Sequence, residues 1–434
     1  MPFLRRKIGP TAWMQFSGLL RGGAPFLQSV LLSKIWGAAP ALAQYETLSM
    51  AVNAASFVGL WTVTVYFVPA YAGAQSELER KTVVTLSVLA LSLNGMAAAA
   101  AVGIYGYCVG APHAALWGFA IYALTYVSSA LTEFYLWSKK KYSLTGVYSL
   151  VAYGLTAFAP AWAAFVYDDL TSACVALACA SVLRLAFALT TVRKELSAVR
   201  GGGWRRHVKL MSAPAFSSLL GGSVSYIDGF LARHRLSESE FLFFRYGGRE
   251  LPATLILANA VATAGSGFIA AAHRNGNPEI GYRKLKSDSL RLMHVAFPLT
   301  AALLLISGPM FEWLYHTDLR PAAKIFDVFL LLVVPRMLFP QSVLAGLGLN
   351  RYLLYGSLWE WPAHVALSFA LIGPMGVYGP ALATVAAYVF GKAVLVFYAL
   401  RKGVPLHRYT AFKAWAAYSS AVLGLFVLKW FTAP

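Results

Sequence analysis

Two arginines four residues apart, Arg245 and Arg249, stand in the apolar stretch that runs from Phe230 to Thr263. A spacing of i and i+4 places both guanidinium groups on one face of a helix. Because arginine stays charged and binds planar oxyanions through paired hydrogen bonds, the two side chains suit a phosphate or a diphosphate. The alternative is that they reach lipid headgroups or pair with Glu238 and Glu240.

Two carboxylates flank this arginine pair, Asp228 before it and Glu250 after it. Removal from water favours the neutral form of a carboxyl group, and a nearby arginine favours the charged form. Both residues are therefore candidates for coupling to a proton or a sodium ion, and a plain ion pair between helices is the alternative. Pro252 lacks a backbone donor, which predicts a bend near Gly248.

Further ionisable residues lie inside apolar segments, where each costs about 2.5 to 3.5 kcal/mol to insert. Such side chains usually face a wet cavity or a partner, so Arg21, Arg336 and Glu360 are predicted to bind substrate together with the arginine pair. Glu133 and Arg184 are interpreted as interfacial or structural instead.

The elements that must position these residues are membrane-spanning helices. Of 434 residues, 59% are hydrophobic and 12% are charged, whereas about a quarter are charged in soluble domains. Apolar runs of about twenty residues, each long enough to cross a bilayer, recur along the chain. We place helices at 13–36, 45–72, 82–108, 113–137, 142–167, 170–192, 211–232, 241–271, 289–315, 321–347, 352–372, 376–400 and 412–431.

The two halves of the chain read as copies of each other. SGLLRGGAPFLQSVLLSK, which begins at Ser17, is similar to SSLLGGSVSYIDGFLAR, which begins at Ser217. Six helices in each half give the repeats the same orientation and predict an all-α membrane protein with two lobes around a central cleft. The lobes are 1–200 and 201–410, and 411–434 adds a C-terminal helix. Chance similarity between apolar helices is the alternative.

The net charge is +19, and the basic residues behind it are distributed according to the predicted topology. Lysine and arginine concentrate in alternate connections, which places the N-terminus in the cytoplasm. They form no basic face or tail, so a nucleic-acid partner is excluded. No catalytic motif, metal-ligand cluster or cofactor motif is present, and the three cysteines have no CxxC spacing, so neither an enzyme nor a metal site is predicted.

Two segments carry a resemblance to a known family. They are Tyr226, Ile227 and Asp228 followed by FFRYGGRELPATLILANAV, and AGLGLNRYLLYGSLWEWPAHVALSFALIGPMGVYGPALATVAAYV over 345–389. Both resemble the polysaccharide flippases, of the Wzx type that exports O-antigen and exopolysaccharide, in the multidrug, oligosaccharidyl-lipid and polysaccharide exporter superfamily. The resemblance implies translocation of an undecaprenyl-diphosphate-linked oligosaccharide to the outer leaflet of the bacterial inner membrane. It also implies ion coupling, contact with membrane lipids, and polysaccharide polymerase or export partners.

Three other functions are weighed against this one. A cation-coupled multidrug exporter would favour an acidic, aromatic cavity, and the arginines argue against it. A lipid II flippase is expected to have several arginines in its first two helices, where this chain has Arg21 and Lys34 alone among basic residues. A membrane-embedded glycosyltransferase or ligase is disfavoured because the external loops are short.

Overall fold

The computed structural model describes residues 9–196, 203–249 and 252–432, and within these ranges all regular secondary structure is helical. The α-helices of the first part are α1 (Pro10–Trp36), α2 (Pro40–Gly73), α3 (Glu77–Cys108), α4 (His113–Ser129), α5 (Leu131–Ser138), α6 (Tyr142–Tyr167), α7 (Leu170–Val192) and α8 (Gly203–Arg235). Those of the second part are α9 (Glu238–Gly247), α10 (Pro252–Arg274), α11 (Pro278–Leu314), α12 (Ala322–Leu330), α13 (Val333–Arg336), α14 (Pro340–Gly346), α15 (Asn350–Met375), α16 (Tyr378–Arg401), α17 (Leu406–Tyr409) and α18 (Phe412–Thr432).

Eight of the described helical segments are long and apolar enough to cross a membrane, and a bent pair raises this number to nine. The eight segments are Pro40–Gly73, Glu77–Cys108, His113–Ser138, Tyr142–Tyr167, Leu170–Glu195, Pro278–Leu314, Tyr378–Arg401 and Phe412–Thr432. The bent pair joins Ala322–Arg336 to Pro340–Gly346 at an angle of 41°. The chain is therefore an all-α polytopic membrane protein, and the other predicted spans stay predictions.

Contacts between α-carbons divide the chain into two compact units, unit 1 (Met1–Tyr226) and unit 2 (Ile227–Pro434). The division falls inside α8. The three segments predicted from the sequence, 1–200, 201–410 and 411–434, stay a prediction.

Unit 1 is held together by close packing between its spans. α1 packs on α6, where the hydroxyl oxygens of Ser17 and Ser149 are 2.8 Å apart. Gly118 of α4 lies against the backbone of Cys174 in α7, because small residues let helices approach closely. α4 also packs on α3, and α6 packs on α7. These contacts fix the relative positions of α1, α4, α6 and α7.

Four helix-to-helix contacts of unit 2 have counterparts in unit 1. α2 on α3, α3 on α4, α4 on α7 and α6 on α7 correspond to α10 on α11, α11 on α12, α12 on α16 and α15 on α16. This correspondence agrees with the predicted internal repeat. The additional helix α18 packs on α11, and Lys429 Nζ lies 2.6 Å from Asp327 Oδ2 of α12. That buried ion pair ties α18 to unit 2.

Three segments predicted as single helices are interrupted in the structure, and the first of them still forms one candidate membrane span, His113–Ser138. The helix over 113–137 divides into α4 and α5 at Ala130, and the helix over 321–347 divides into α12, α13 and α14. Prolines cause the second break, because Pro335 and Pro340 lack backbone donors. The side chain of Trp415 donates to the carbonyl of Val334 at 2.8 Å, and that of Lys392 donates to Leu338 O at 3.2 Å.

The third broken helix changes the interpretation of the arginine pair. α9 ends at Gly247 and α10 begins at Pro252, so Arg245 lies in the last turn of α9 and Arg249 lies beyond its end. Glycine has low helix propensity and proline cannot continue the hydrogen-bond ladder, which explains the break. The two guanidinium groups therefore do not share one helix face by i and i+4 spacing. Glu250 lies outside the described residues.

Candidate functional site

A cavity of about 580 Å³ lies within unit 1. Helix α1 contributes Arg21, and α2 contributes a polar and aromatic wall that includes Asn53, Ser56 and Trp61. The remaining walls come from α4, α5, α6, α7 and the first part of α8. The cavity therefore brings one predicted site residue, Arg21, together with residues that the sequence did not single out.

The most buried charge in this cavity is Arg184 of α7, which is 4% exposed. Its guanidinium carbon lies 4.8 Å from the ring centre of Tyr126 and 4.9 Å from that of Tyr153. Its Nε donates to the hydroxyl of Tyr148 at 3.1 Å. Among the described residues, Nη1 has no hydrogen-bond partner and no carboxylate pairs with the guanidinium. Aromatic faces thus stabilise this cation without neutralising it.

A buried carboxylate, Glu133 of α5, is 6% exposed and lines an adjoining cavity that shares Arg21 and Phe134 with the first one. The hydroxyl of Tyr153 donates to its Oε2 at 2.7 Å, and Arg21 Nη1 lies 3.7 Å from its Oε1. Arg21 also lies over the ring of Phe134, 5.1 Å from its centre. Since Tyr153 contacts both Glu133 and Arg184, one network holds two guanidinium groups and one carboxylate, which leaves a net positive charge.

The opposite wall of the cavity is formed by α2 and α8. Phe57 of α2 and Tyr226 of α8 have ring centres 5.2 Å apart. Gly222 lies directly against the Phe57 ring, where any larger residue would clash. Trp61 is 58% exposed although it lines the cavity, so its ring surface is open to a ligand.

The predicted arginines Arg245 and Arg249 lie in the last turn of α9 and just beyond its end. Arg245 and Arg249 are both partly buried, and the guanidinium of Arg249 lies 4.6 Å from the ring centre of its neighbour Tyr246. Their predicted role in substrate binding stays a prediction.

Asp228, the predicted coupling residue, is 5% exposed and accepts three hydrogen bonds in unit 2. The donors are His364 Nε2 at 2.8 Å, Ser368 Oγ at 2.6 Å and Thr384 Oγ1 at 2.7 Å. His364 and Ser368 lie on α15, and Thr384 lies on α16. One carboxylate therefore joins α8 to two other helices, without an arginine partner among the described residues.

The structure brings the other two predicted residues of unit 2, Arg336 and Glu360, to one cluster around Lys392 of α16. Arg336 and Lys392 lie over the Tyr388 ring, 5.8 Å and 5.3 Å from its centre. Glu360 lies against Gly391 and interacts electrostatically with Lys392. Lys392 Nζ also donates to Gln341 Oε1 at 2.7 Å. In the described part of the chain, no group of three or more His, Cys, Asp or Glu residues could hold a metal ion.

Solved structures of membrane transporters share this arrangement of helices. One is described as "Lipid II flippase MurJ, inward closed conformation". The alignment with it covers 98% of this chain and 93% of the flippase chain, with a TM-score of 0.69 and 15% sequence identity. The chain has the fold of these transporters. Another is an inward-facing multidrug resistance MATE family transporter of the MOP superfamily. That alignment covers 91% of this chain and 98% of the transporter chain, with a TM-score of 0.62 and 14% sequence identity. No family model and no curated protein matches the sequence.

Sequence reasoning did not assign three buried charged residues to a candidate site. Glu133 and Arg184 are both buried, Arg184 at the unit 1 cavity and Glu133 at the adjoining one, which contradicts the interfacial alternative and is compatible with the structural one. Lys392 is in none of the predicted sites, although it lies in the predicted helix 376–400 and is 7% exposed. The cost of inserting a charge, which selected Arg21 and Asp228, would have found Arg184 and Lys392 as well.

Proposed function

We propose that this protein is a flippase that moves an undecaprenyl-diphosphate-linked oligosaccharide from the cytoplasmic to the outer leaflet of the bacterial inner membrane. The observation that carries the proposal is Arg184, a buried guanidinium beside a 580 Å³ cavity whose Nη1 has no hydrogen-bond partner among the described residues. A buried cation of this kind gains most from an anionic ligand, because the ligand supplies the missing acceptor.

The charge balance of the cavity favours a diphosphate. Arg184 and Arg21 face it, and Glu133 offsets part of their charge. Two guanidinium groups can bind the oxygens of one diphosphate, while Asn53, Ser56 and Trp61 are available to sugar hydroxyls and ring faces. The same balance disfavours export of a cationic drug, which would need a net negative cavity.

A lipid II flippase is the second candidate, because its substrate also carries a lipid-linked diphosphate. The similarity in fold to the MurJ structure favours it. The first two helices argue for the oligosaccharide instead, because Arg21 and Lys34 are their only basic residues. Membrane lipids, and polymerase or export proteins of a polysaccharide pathway, are the partners that this proposal implies.

For energy coupling, we propose that the cluster of Asp228, His364, Ser368 and Thr384 carries one proton during each transport cycle. Both carboxylate oxygens accept hydrogen bonds, and a histidine is among the donors, which suits proton exchange better than a sodium ion. A sodium ion would require the hydroxyl groups to turn their oxygens toward it.

Reconstitution of the full chain in proteoliposomes tests the proposal. We expect translocation of an undecaprenyl-diphosphate-linked oligosaccharide that is stimulated by a proton gradient and unaffected by a sodium gradient. Lipid II and a cationic dye serve as the two competing substrates in parallel vesicles. Preferred translocation of lipid II would select the second candidate, and transport of the dye alone would contradict both flippase assignments.

A further inference from the structure

A second depression lies on the other side of Arg184, in a groove between α6 and α7. Its volume is about 210 Å³, and its lining is almost entirely aliphatic or aromatic. Val147 and Val151 of α6 line it and are each 54% exposed, and Leu183 of α7 is 62% exposed. The rings of Tyr148 and Phe187 stack 5.2 Å apart and form part of its surface.

Arg184 lines both this groove and the unit 1 cavity. Arg184 therefore lies beside two depressions, of which the cavity has polar as well as apolar lining and the groove is almost entirely apolar. A ligand that carries an anionic group and an apolar chain can occupy both depressions at once, whereas a free anion or a sugar uses the cavity alone.

We propose that the α6–α7 groove binds the first isoprenoid units of the lipid-linked substrate while its diphosphate is held at Arg184. The inference rests on the proposed function, since it extends the same substrate from the cavity into the groove. Arg184 stands eight residues from Val192, the end of α7, which is about two helical turns. The phosphate of an ordinary bilayer lipid stays at headgroup level, so it is a poorer match for this position than a diphosphate that has entered the cavity.

The test measures equilibrium binding to the purified full chain in nanodiscs with two probes, inorganic diphosphate and farnesyl diphosphate. Val151→Trp and Leu183→Trp fill the groove from its two helices. Val166→Trp is the matched control, because Val166 is also on α6, is 49% exposed, and does not line the groove. Each substitution lies at a half-exposed or exposed position, where tryptophan is accommodated without displacing buried side chains.

We expect the unmodified protein to bind farnesyl diphosphate at least about ten-fold more tightly than inorganic diphosphate, because burial of a few methylene groups gives that factor. Val151→Trp and Leu183→Trp should remove most of this difference, and Val166→Trp should keep it. All three variants should bind inorganic diphosphate equally well, since the cavity is unchanged.

Equal affinities for the two probes in the unmodified protein would overturn the chain-binding groove and leave the diphosphate site intact. Equal loss in Val151→Trp and Val166→Trp would also overturn it. Displacement of farnesyl diphosphate by an equal concentration of phosphatidylglycerol would assign the groove to a bilayer phospholipid instead. Absence of binding by both probes would contradict the proposed function itself, and the groove with it.

Discussion

Arg184 in unit 1 and Asp228 in unit 2 are the two most informative buried charges. Their exposure to solvent is similar, but their hydrogen bonding differs. They are 4% and 5% exposed. Asp228 accepts hydrogen bonds from three side chains on two other helices. Arg184 makes one hydrogen bond, to Tyr148, and otherwise contacts aromatic faces. The hydrogen bonds of Asp228 are all made within the protein. Arg184 Nη1 lacks an acceptor among the described residues, and a ligand could supply one.

This difference indicates two different tasks. A buried polar group without a partner costs about 1 to 3 kcal/mol, so a binding site that leaves one open gains that free energy when the ligand arrives. The carboxylate of Asp228 already accepts three hydrogen bonds, so it is not available to bind a large ligand. A change in its protonation, however, alters three hydrogen bonds between helices together. We therefore expect substitutions of Arg184 to affect substrate binding and substitutions of Asp228 to affect coupling.

The largest effect is expected for Arg184→Gln. Loss of the charge should weaken diphosphate binding and slow translocation by about 10- to 100-fold, because hydrogen bonds to charged groups contribute about 1.5 to 3 kcal/mol. Glutamine can still donate to Tyr148, which preserves the fold. Arg184→Lys, which keeps the charge and loses the planar geometry, should retain intermediate activity. Unchanged diphosphate affinity in Arg184→Gln, measured by calorimetry, would remove Arg184 from the site.

Asp228→Asn should separate coupling from binding. Asparagine keeps an acceptor for Ser368 or Thr384 but cannot exchange a proton, so we expect about a ten-fold loss of gradient-driven accumulation, with diphosphate affinity unchanged. Ser368→Ala is the control, because it removes one hydrogen bond and keeps the carboxylate. The measurement is uptake with and without a proton gradient. Full sensitivity to collapse of the gradient in Asp228→Asn would exclude this residue from coupling.

Glu133→Gln should strengthen anion binding. The substitution removes the carboxylate near Arg21 and can keep the hydrogen bond from Tyr153. Because the Arg21 side chain is 41% exposed, the gain should be small, about two- to five-fold in diphosphate affinity. Glu195→Gln, which removes a carboxylate that pairs with Lys139, is the control. A weaker affinity in Glu133→Gln would indicate that this carboxylate positions Arg21 for the ligand.

The smallest effect is expected for a more exposed ion pair, Lys139 with Glu195, whose Nζ and Oε1 atoms are 2.8 Å apart. The hydrogen bond to Glu195 raises the pKa of the Lys139 ammonium. The stabilisation is therefore fully present below the unfolded-state pKa of about 10.4 and is lost as the pH rises through the higher folded value. Lys139→Met should lower the free energy of unfolding by less than about 1 kcal/mol. Thermal unfolding at pH 7 measures this, and any loss of diphosphate binding would contradict the contrast with Arg184.

The fold class and part of each site could be predicted from the sequence. Long apolar runs indicated membrane-spanning helices, and the charges of Arg21 and Asp228 marked them as candidates. The internal repeat agrees with the matching order of helix neighbours in the two units. Pro252 predicted a bend near Gly248, and the structure has a complete break there, between α9 and α10.

The remaining features depend on which face of each helix points inward. Lipid and protein core are both apolar, so a membrane helix carries little periodic signal that separates its two faces. For that reason the sequence predicts only an interfacial or structural role for Arg184 and Glu133, although tyrosines from α4 and α6 surround Arg184. The partners of Asp228 could not be predicted from the sequence either, because His364, Ser368 and Thr384 lie more than a hundred residues away in the chain.

The position of α18 has a consequence for how this protein is handled. Its Lys429 neutralises the buried Asp327, and its Trp415 donates to the carbonyl of Val334 at the break between α12 and α14. Removal of this last helix would leave a carboxylate and a backbone carbonyl in unit 2 without these donors. Helix α18 therefore supplies charge compensation and a hydrogen-bond donor to the interior of unit 2. We therefore expect a version of the chain that lacks α18 to be less stable, so a loss of transport in it would not by itself assign a transport role to α18.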